Sequence, residues 1–156
     1  MFIAKNNDLI ILAKPTREEL EHALGLMVYT SIEETETEYQ LYNGQYLTPA
    51  EIAEQEAARI AKLHLTRGDV FRGLLLAKGV TRAQLRAIIE AMPDETQEQA
   101  IAKEYALIDF DEALEFYRGV ALIDTVGAQL GITSEQMTKF FETNDYHELI
   151  ESEVEE

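Results

Sequence analysis

The sequence predicts an α+β protein: a small N-terminal region of antiparallel strands and hairpins with one helix, followed by a mainly helical region. Short β-rich runs broken by Asn, Asp and Gly lie in the first 47 residues. In the rest of the chain, apolar residues recur every three or four positions, as on one face of a helix. Residues 79–90 also align without a gap with residues 131–142. We therefore predict that a helix-turn-helix unit is used twice.

The two aligned stretches share the pattern Gly-x-Thr-x-x-Gln. Glycine can end one helix in the left-handed conformation, and Thr followed by Gln three residues later forms a capping box at the start of the next helix. Gly79 and Gly131 are therefore predicted helix ends, and Thr81 and Thr133 are predicted N-caps.

The expected organisation has three parts. Residues 1–47 form the small strand-rich region, residues 48–150 form the helical domain, and residues 151–156 form a frayed acidic tail. A chain of 156 residues suits one domain, or one domain with a small appended subdomain.

The strand-rich region begins with a predicted hairpin at residues 2–12, where two apolar runs flank Asn and Asp residues. A Thr-x-x-Glu capping box then predicts a helix over residues 17–24. Residues 28–32 are β-rich and predict another strand. The run 39–47 contains Asn43-Gly44, which suits a type I′ turn and predicts a second hairpin.

An acidic stretch, residues 33–38, separates these predicted strands. In an extended chain Glu34, Glu36 and Glu38 would lie on one face, and their mutual repulsion suits an exposed edge that must not pair with other chains. Cation binding is the alternative interpretation. The stretch has neither the glycine nor the ligand spacing of a calcium loop, so we favour the exposed edge.

Helix signals dominate the rest of the chain. A capping box with Pro at the first helical position starts a helix after Thr48, and Thr66 starts another that ends at Gly79. Apolar residues at helical spacing predict one long helix with a wide buried face over residues 95–117. Further helices are predicted after Thr81, over residues 122–130, after Thr133, and as a last turn within residues 144–150.

Charge is distributed unevenly along the chain. The net charge of −17 argues against general nucleic-acid binding, which needs a basic surface. Residues 59–86, which we call the basic segment, nevertheless hold seven basic residues and one acidic residue, a net charge of +6. Since the whole chain carries −17, the remainder carries −23. Segregated charge of this kind is typical of interaction surfaces.

Two interpretations of the basic segment stay open. Its side chains are either scattered over several helix faces and neutralised by neighbouring carboxylates, or they form a surface for an acidic protein partner or a second copy of the chain. Nucleic-acid binding through the same segment is a further alternative. The candidate partner-binding residues are Arg59, Lys62, Arg67, Arg82 and Arg86.

Recognisable catalytic motifs are absent from the sequence. There is no cysteine, which excludes disulfides, thiolate metal sites and Cys nucleophiles. His22, His64 and His147 lie far apart, and the chain has no Gly-rich phosphate loop and no nucleophile elbow. We expect no enzymatic activity, no metal and no cofactor, although the many dispersed carboxylates leave an enzyme as an alternative.

Asp124 is the one carboxylate inside an apolar run. A desolvated Asp would have a raised pKa and could serve as an acid or base. The alternative is an ion pair with Arg118, six residues earlier, and by analogy one between Asp69 and Arg72. We favour the structural pairs, since these also perturb pKa values.

The sequence shows neither a signal-peptide pattern nor a membrane-spanning run. We therefore expect a soluble protein of the cytoplasm, with no membrane partner.

Four segments carry a resemblance to a known group of proteins. They are 39–49 (Tyr-x-Leu-x-Asn-Gly-x-Tyr-x-Thr-Pro), 65–71, 116–119 and 130–141. The chain resembles small uncharacterised proteins encoded among the tail genes of tailed bacteriophages and prophages. That resemblance implies a structural or assembly role, with virion association as a possible location, and it carries over no catalytic residue.

These observations favour a non-enzymatic interaction or assembly protein that binds a protein partner or itself. An acidic protein that mimics nucleic acid and inhibits a DNA-binding protein is the main alternative, suggested by the −23 outside the basic segment. The surface distinguishes the two. A mimic needs carboxylates in two rows at phosphate-like spacing, whereas an adaptor needs an apolar patch with a charged rim.

Overall fold

The computed structural model describes residues 1–150, and the predicted acidic tail at 151–156 lies outside the described residues. The protein is α+β, as predicted, with a small antiparallel N-terminal sheet and seven α-helices within the described part of the chain. Its contacts divide it into two compact units, Met1–Ala58 and a second that begins at Arg59.

The first unit contains five strands, one complete helix and most of a second. Its elements are β1 (Phe2–Asn6), β2 (Leu9–Lys14), α1 (Arg17–Leu24), β3 (Ser31–Glu34), β4 (Gln40–Tyr42), β5 (Gln45–Leu47) and α2 (Pro49–Ala61), whose last residues belong to the second unit.

Strand β1 lies at the centre of the three-stranded sheet, in the order β2-β1-β3. The predicted hairpin between β1 and β2 is confirmed, and its turn places Asn7 at a φ of 55°. Helix α1 begins at the predicted capping box and packs Leu20 and Leu24 against Ala4 of β1. The second hairpin, β4 with β5, is also confirmed, with its turn at Asn43-Gly44.

The predicted acidic strand is wrong. Strand β3 covers Ser31–Glu34 rather than residues 28–32, and Glu36 and Glu38 lie outside any strand. The reason is that β3 pairs with β1, where Phe2 is opposite Glu34 and the main-chain N–H of Thr35 donates to Met1. Beyond that point β1 offers no further residues with which an acidic strand could pair.

The second unit is mainly helical. Its elements are β6 (His64–Thr66), α3 (Arg67–Lys78), α4 (Arg82–Glu90), α5 (Gln97–Glu112), β7 (Glu115–Tyr117), α6 (Ala121–Gln129), α7 (Ser134–Thr143) and a 3₁₀ turn (Tyr146–Leu149).

One hydrophobic core holds these helices together. Phe140 of α7 is 1% exposed and Ile89 of α4 is fully buried. The ring of Phe71 lies 5.2 Å from that of Phe110 and 5.9 Å from that of Phe116, measured between centroids. Helices α3 and α5 and strand β7 therefore share one aromatic cluster, and aromatic pairs at these separations add to the gain from burial.

The single long helix predicted over residues 95–117 is wrong. Helix α5 ends at Glu112, and β7 pairs antiparallel with β6, with Phe116 opposite Leu65. Apolar residues near 116 fit helical spacing and strand spacing equally well, and the hydrogen bonds that decide between them come from residues 64–66, far away in the sequence. The predicted wide buried face is also wrong, as described below.

Both predicted capped turns are confirmed. The hydroxyls of Thr81 and Thr133 accept hydrogen bonds from the main-chain N–H three residues later, and the Gln side chains at those positions accept in return. Gly79 and Gly131 both have a φ of 67°, the left-handed conformation that favours glycine. A larger helix-turn-helix unit used twice stays a prediction.

Removing either cap should lower stability. We expect Thr81→Ala and Thr133→Ala each to reduce the free energy of unfolding by about 0.5–2 kcal/mol, because each leaves a helix N–H without its acceptor. Thr81→Ser and Thr133→Ser, which keep the hydroxyl, serve as controls and should stay near wild type. Urea denaturation measures the difference, and equal effects of Ala and Ser would contradict the capping role.

Two glycines of α3 should respond in opposite ways to alanine. A Cβ at Gly73 would run into the ring of Phe140, whereas a Cβ at Gly68 would meet only ordinary contacts, the nearest at 3.8 Å. We expect Gly73→Ala to destabilise the protein by about 1–3 kcal/mol through overpacking. Gly68→Ala should be neutral or stabilising by up to about 1 kcal/mol. Urea denaturation of both variants checks this, and equal effects would refute the close approach.

Candidate protein-binding surface

Three of the five candidate basic residues meet at Asp111 of α5. The Arg86 guanidinium donates to both carboxylate oxygens of Asp111, at 2.7 and 2.5 Å, and Arg82 lies 3.5 Å from one of them. Arg67 donates to the main-chain oxygen of Asp111 at 2.6 Å. The hydrogen bonds to Asp111 and Glu90 hold the pKa of Arg86 above its usual value. Each of these three arginines therefore has an acceptor or an ion-pair partner at Asp111 within the protein.

Arg82 also packs on the aromatic cluster. Its guanidinium carbon lies 5.7 Å from the centroid of the Phe71 ring and 5.5 Å from that of Phe110. A cation over aromatic faces at this distance is attracted by the ring quadrupoles. The junction of α3, α4 and α5 thus combines an ion pair with packing.

The remaining basic residues lie apart from this junction. Arg59 is bound to Glu142 of α7 at 2.7 Å, while Lys62 is exposed just after α2. The predicted pair of Arg72 with Asp69 is confirmed at 2.5 Å. The Thr66 hydroxyl first, and then Arg72, hold the pKa of the Asp69 carboxyl below its usual value by donating hydrogen bonds to it.

Four of the seven basic side chains of the basic segment are therefore paired with carboxylates. They are Arg59, Arg72, Arg82 and Arg86. A partner-binding role for Arg59, Lys62, Arg67, Arg82 and Arg86 as one surface stays a prediction.

Asp124 takes part in the predicted structural pair. Its carboxylate lies 2.8 Å from the guanidinium of Arg118, and its side chain is 57% exposed, so the desolvated acid–base interpretation is wrong. Arg118 is 4% exposed and also donates to Ser134 and to the hydroxyl of Thr138. Burying a charged group requires such partners, and Arg118 thereby joins the strand end to α7.

The histidines lie at separate places in the structure. His64 packs its ring against Tyr117, and His147 is 2.6 Å from Asp145. Among residues 1–150, no group of three His, Asp or Glu side chains is arranged to hold a metal ion. No helix in the same range is both long enough and apolar enough to cross a membrane.

Helix α5 has an exposed apolar stripe. Ile101, Tyr105 and Ile108 are 46%, 65% and 46% exposed, and their spacing of four and three places them on one side of the helix. The buried side of the same helix carries Ala106 and Phe110. Helix α5 is therefore apolar on two sides, and only one of them is covered by the core.

An acidic rim surrounds this stripe. Its four members are exposed, and none forms an ion pair with another side chain of the described chain. Lys103, the one basic residue of α5, bonds Asp94 instead. We call Ile101, Tyr105 and Ile108 with this rim the α5 face. The rim consists of Glu98, Glu104, Asp109 and Glu112.

A groove runs beside the α5 face. One hollow of about 230 Å³ lies between Tyr105 and Ala102 of α5 and Ala121 of α6. It adjoins a hollow of about 580 Å³ along α4, and the two share Met92 and Thr125. Among the described residues that line the two hollows, Asp109 is the only charged one. The groove is therefore largely apolar, with a carboxylate at the edge next to the α5 face.

The sequence contains a signal for this face, although the same apolar spacing predicted a wide buried side. Apolar residues lie on nearly every side of α5, and a helix at the surface of a small unit can cover only one stripe. Which stripe is covered depends on how α4 and α6 pack, and the sequence does not carry that information locally.

Comparison with known proteins gives no relative. The chain matches no protein-family model, and no curated protein or solved structure is significantly similar to it.

The Asp111 junction should contribute measurably to stability. We expect Asp111→Asn to lower the free energy of unfolding by about 1–3 kcal/mol, because it removes the charged acceptor of Arg86 and Arg82. Glu112→Gln, at the next position and without an ion pair, is the matched control and should change it by less than about 0.5 kcal/mol. Urea denaturation at low and high salt measures both variants. Equal effects would show that the ion pairs at Asp111 do not contribute to stability.

Proposed function

We propose that this protein is a non-enzymatic interaction or assembly protein that binds another protein through the α5 face. The observation that carries the proposal is the exposed stripe of Ile101, Tyr105 and Ile108 within a rim of four carboxylates. Contiguous exposed apolar side chains with a polar rim are typical of protein-binding sites. Aromatic and large aliphatic side chains at the centre of such patches contribute most of the binding energy.

The arrangement of charge favours this function over mimicry of nucleic acid. The carboxylates of the α5 face surround apolar side chains, and a row of phosphates has no counterpart to Ile101 or Tyr105. Nucleic-acid binding through the basic segment is also less favoured, since Arg67, Arg82 and Arg86 are engaged at Asp111. The resemblance to proteins of phage tail gene clusters, given above, agrees with an assembly role and is part of the proposal.

A binding role for the stripe predicts that it contributes little to folding. We expect the combined variant Ile101→Gln, Tyr105→Gln and Ile108→Gln to change the free energy of unfolding by no more than about 1.5 kcal/mol, since surface substitutions to good helix formers are usually mild. Urea denaturation measures this. A loss of several kcal/mol would show that the stripe serves the core instead.

The same stripe should contact a partner. A photo-crosslinking amino acid at position 105, in the cell that makes the protein, should give a discrete adduct with another protein or a second copy. Position 83, an exposed Ala on α4, is the control and should give none. Adducts that are equal at the two positions, or absent from 105, would contradict the proposed function.

A further inference from the structure

We propose that the partner of the α5 face is a basic amphipathic helix of another protein, which lies along α5 and places one apolar side chain in the groove beside Tyr105. This inference rests on the function proposed above and adds the chemistry and the seating of the partner. An amphipathic helix binds through apolar anchors at spacings of three and four. Ile101, Tyr105 and Ile108 have the same spacing on α5, so the apolar stripes of two helices that lie side by side can contact each other along their length.

The acidic rim determines which charge the partner surface must carry. The solvent side of α5 carries Glu98, Glu104, Asp109 and Glu112 and no basic residue. A second copy that used the same face would bring four carboxylates against four, and like charges across an interface are unfavourable. Lys and Arg beside the apolar stripe of a partner would instead meet carboxylates that have no ion-pair partner within residues 1–150.

A second copy is also a poor source of that basic surface. Every arginine of the described chain already engages an acceptor in its own protein, as at Asp111, Glu142 and Asp124. The lysines without an ion pair within residues 1–150 are Lys14, Lys62 and Lys78, which lie in separate parts of the chain and form no row that could face four carboxylates. Moving one of them to an interface would cost the internal bond that it makes. The partner that fits the rim is therefore a different protein that supplies its own basic residues.

Small side chains make the groove available. Ala102 of α5 and Ala121 of α6 both line the hollow beside Tyr105, and neither side chain is large enough to fill it. An apolar side chain of a partner helix that lies along α5 would pack between these alanines and the ring of Tyr105. Asp109, at the same edge, would contact a basic residue of the partner helix that lies one turn from this apolar side chain.

The length of α5 sets the length of the partner segment. Its 16 residues extend over about 24 Å, and the stripe with its rim covers about four turns. Such a contact is smaller than a standard protein interface, which suits a reversible complex rather than a permanent one.

Synthetic peptides test this directly. The probe is a fluorescent helical peptide of about 14 residues, or four turns, with Leu at spacings of three and four and Lys elsewhere. A second peptide has Glu in place of every Lys. We expect the Lys peptide to bind the full chain in fluorescence anisotropy at least tenfold more tightly than the Glu peptide, with an affinity that falls as salt rises.

Two pairs of variants separate specific docking from general attraction to an acidic protein. Glu98→Lys with Asp109→Lys should weaken binding at least tenfold, and Glu18→Lys with Glu54→Lys, an equal charge change on exposed residues of the first unit, should weaken it less than threefold. Ala102→Trp, which fills the groove, should weaken binding at least tenfold, whereas Ala83→Trp on the exposed side of α4 should leave it within twofold. Thermal melting checks that all four variants are folded.

Failure of this inference can be distinguished from failure of the proposed function. Equal effects of the two lysine variants, or normal binding by a folded Ala102→Trp variant, would overturn the basic helix or its seating, while an adduct at position 105 would still support a protein-binding face. Light scattering measures whether the protein is a dimer. A dimer that is lost in the combined Ile101→Gln, Tyr105→Gln and Ile108→Gln variant would identify a second copy as the partner, and would overturn this inference alone. Absence of any adduct would reject the proposed function itself.

Discussion

The pairing of β6 with β7 is the interaction on which the second unit depends. The ladder extends beyond the strands, because Arg67 donates its main-chain N–H to Leu114 at one end and Arg118 donates to Leu63 at the other. Gly119 continues it to Ala61, and a Cβ at Gly119 would lie 2.9 Å from that of Ala61. These short strands thus join the end of α2 and the start of α3 to the segment between α5 and α6.

Three further features follow from this pairing. It turns Phe116 into the aromatic cluster with Phe71, and it places Arg118 where the guanidinium can reach α7. It also ends α5 at Glu112, so that Asp111 sits in the last turn, within reach of Arg86. A buried guanidinium and a shared carboxylate both need accurate placement, since an unpartnered charge in the interior is costly.

The placement of α5 also decides which of its two apolar sides faces the core and which stays exposed. Ala106 and Phe110 belong to the hydrophobic core, where the ring of Phe71 in α3 lies 5.2 Å from that of Phe110. On the other side of the helix Ile101, Tyr105 and Ile108 stay 46%, 65% and 46% exposed. Contiguous apolar side chains that stay exposed are typical of interaction sites. Their spacing, the largely apolar groove beside them and the acidic rim are the features from which the protein-binding role is proposed.

The sequence by itself determined the features that depend on near neighbours. The hairpin at Asn43-Gly44, the caps at Thr81 and Thr133, and the pair of Arg118 with Asp124 all join residues within a few positions of each other, where the chain's local geometry brings the groups together. Only the tertiary structure decided the strand pair of β6 with β7, the meeting of three arginines at Asp111 and the side of α5 that is buried. Each of these joins groups that are distant in sequence, and apolar or charged residues there fit several arrangements until packing selects one.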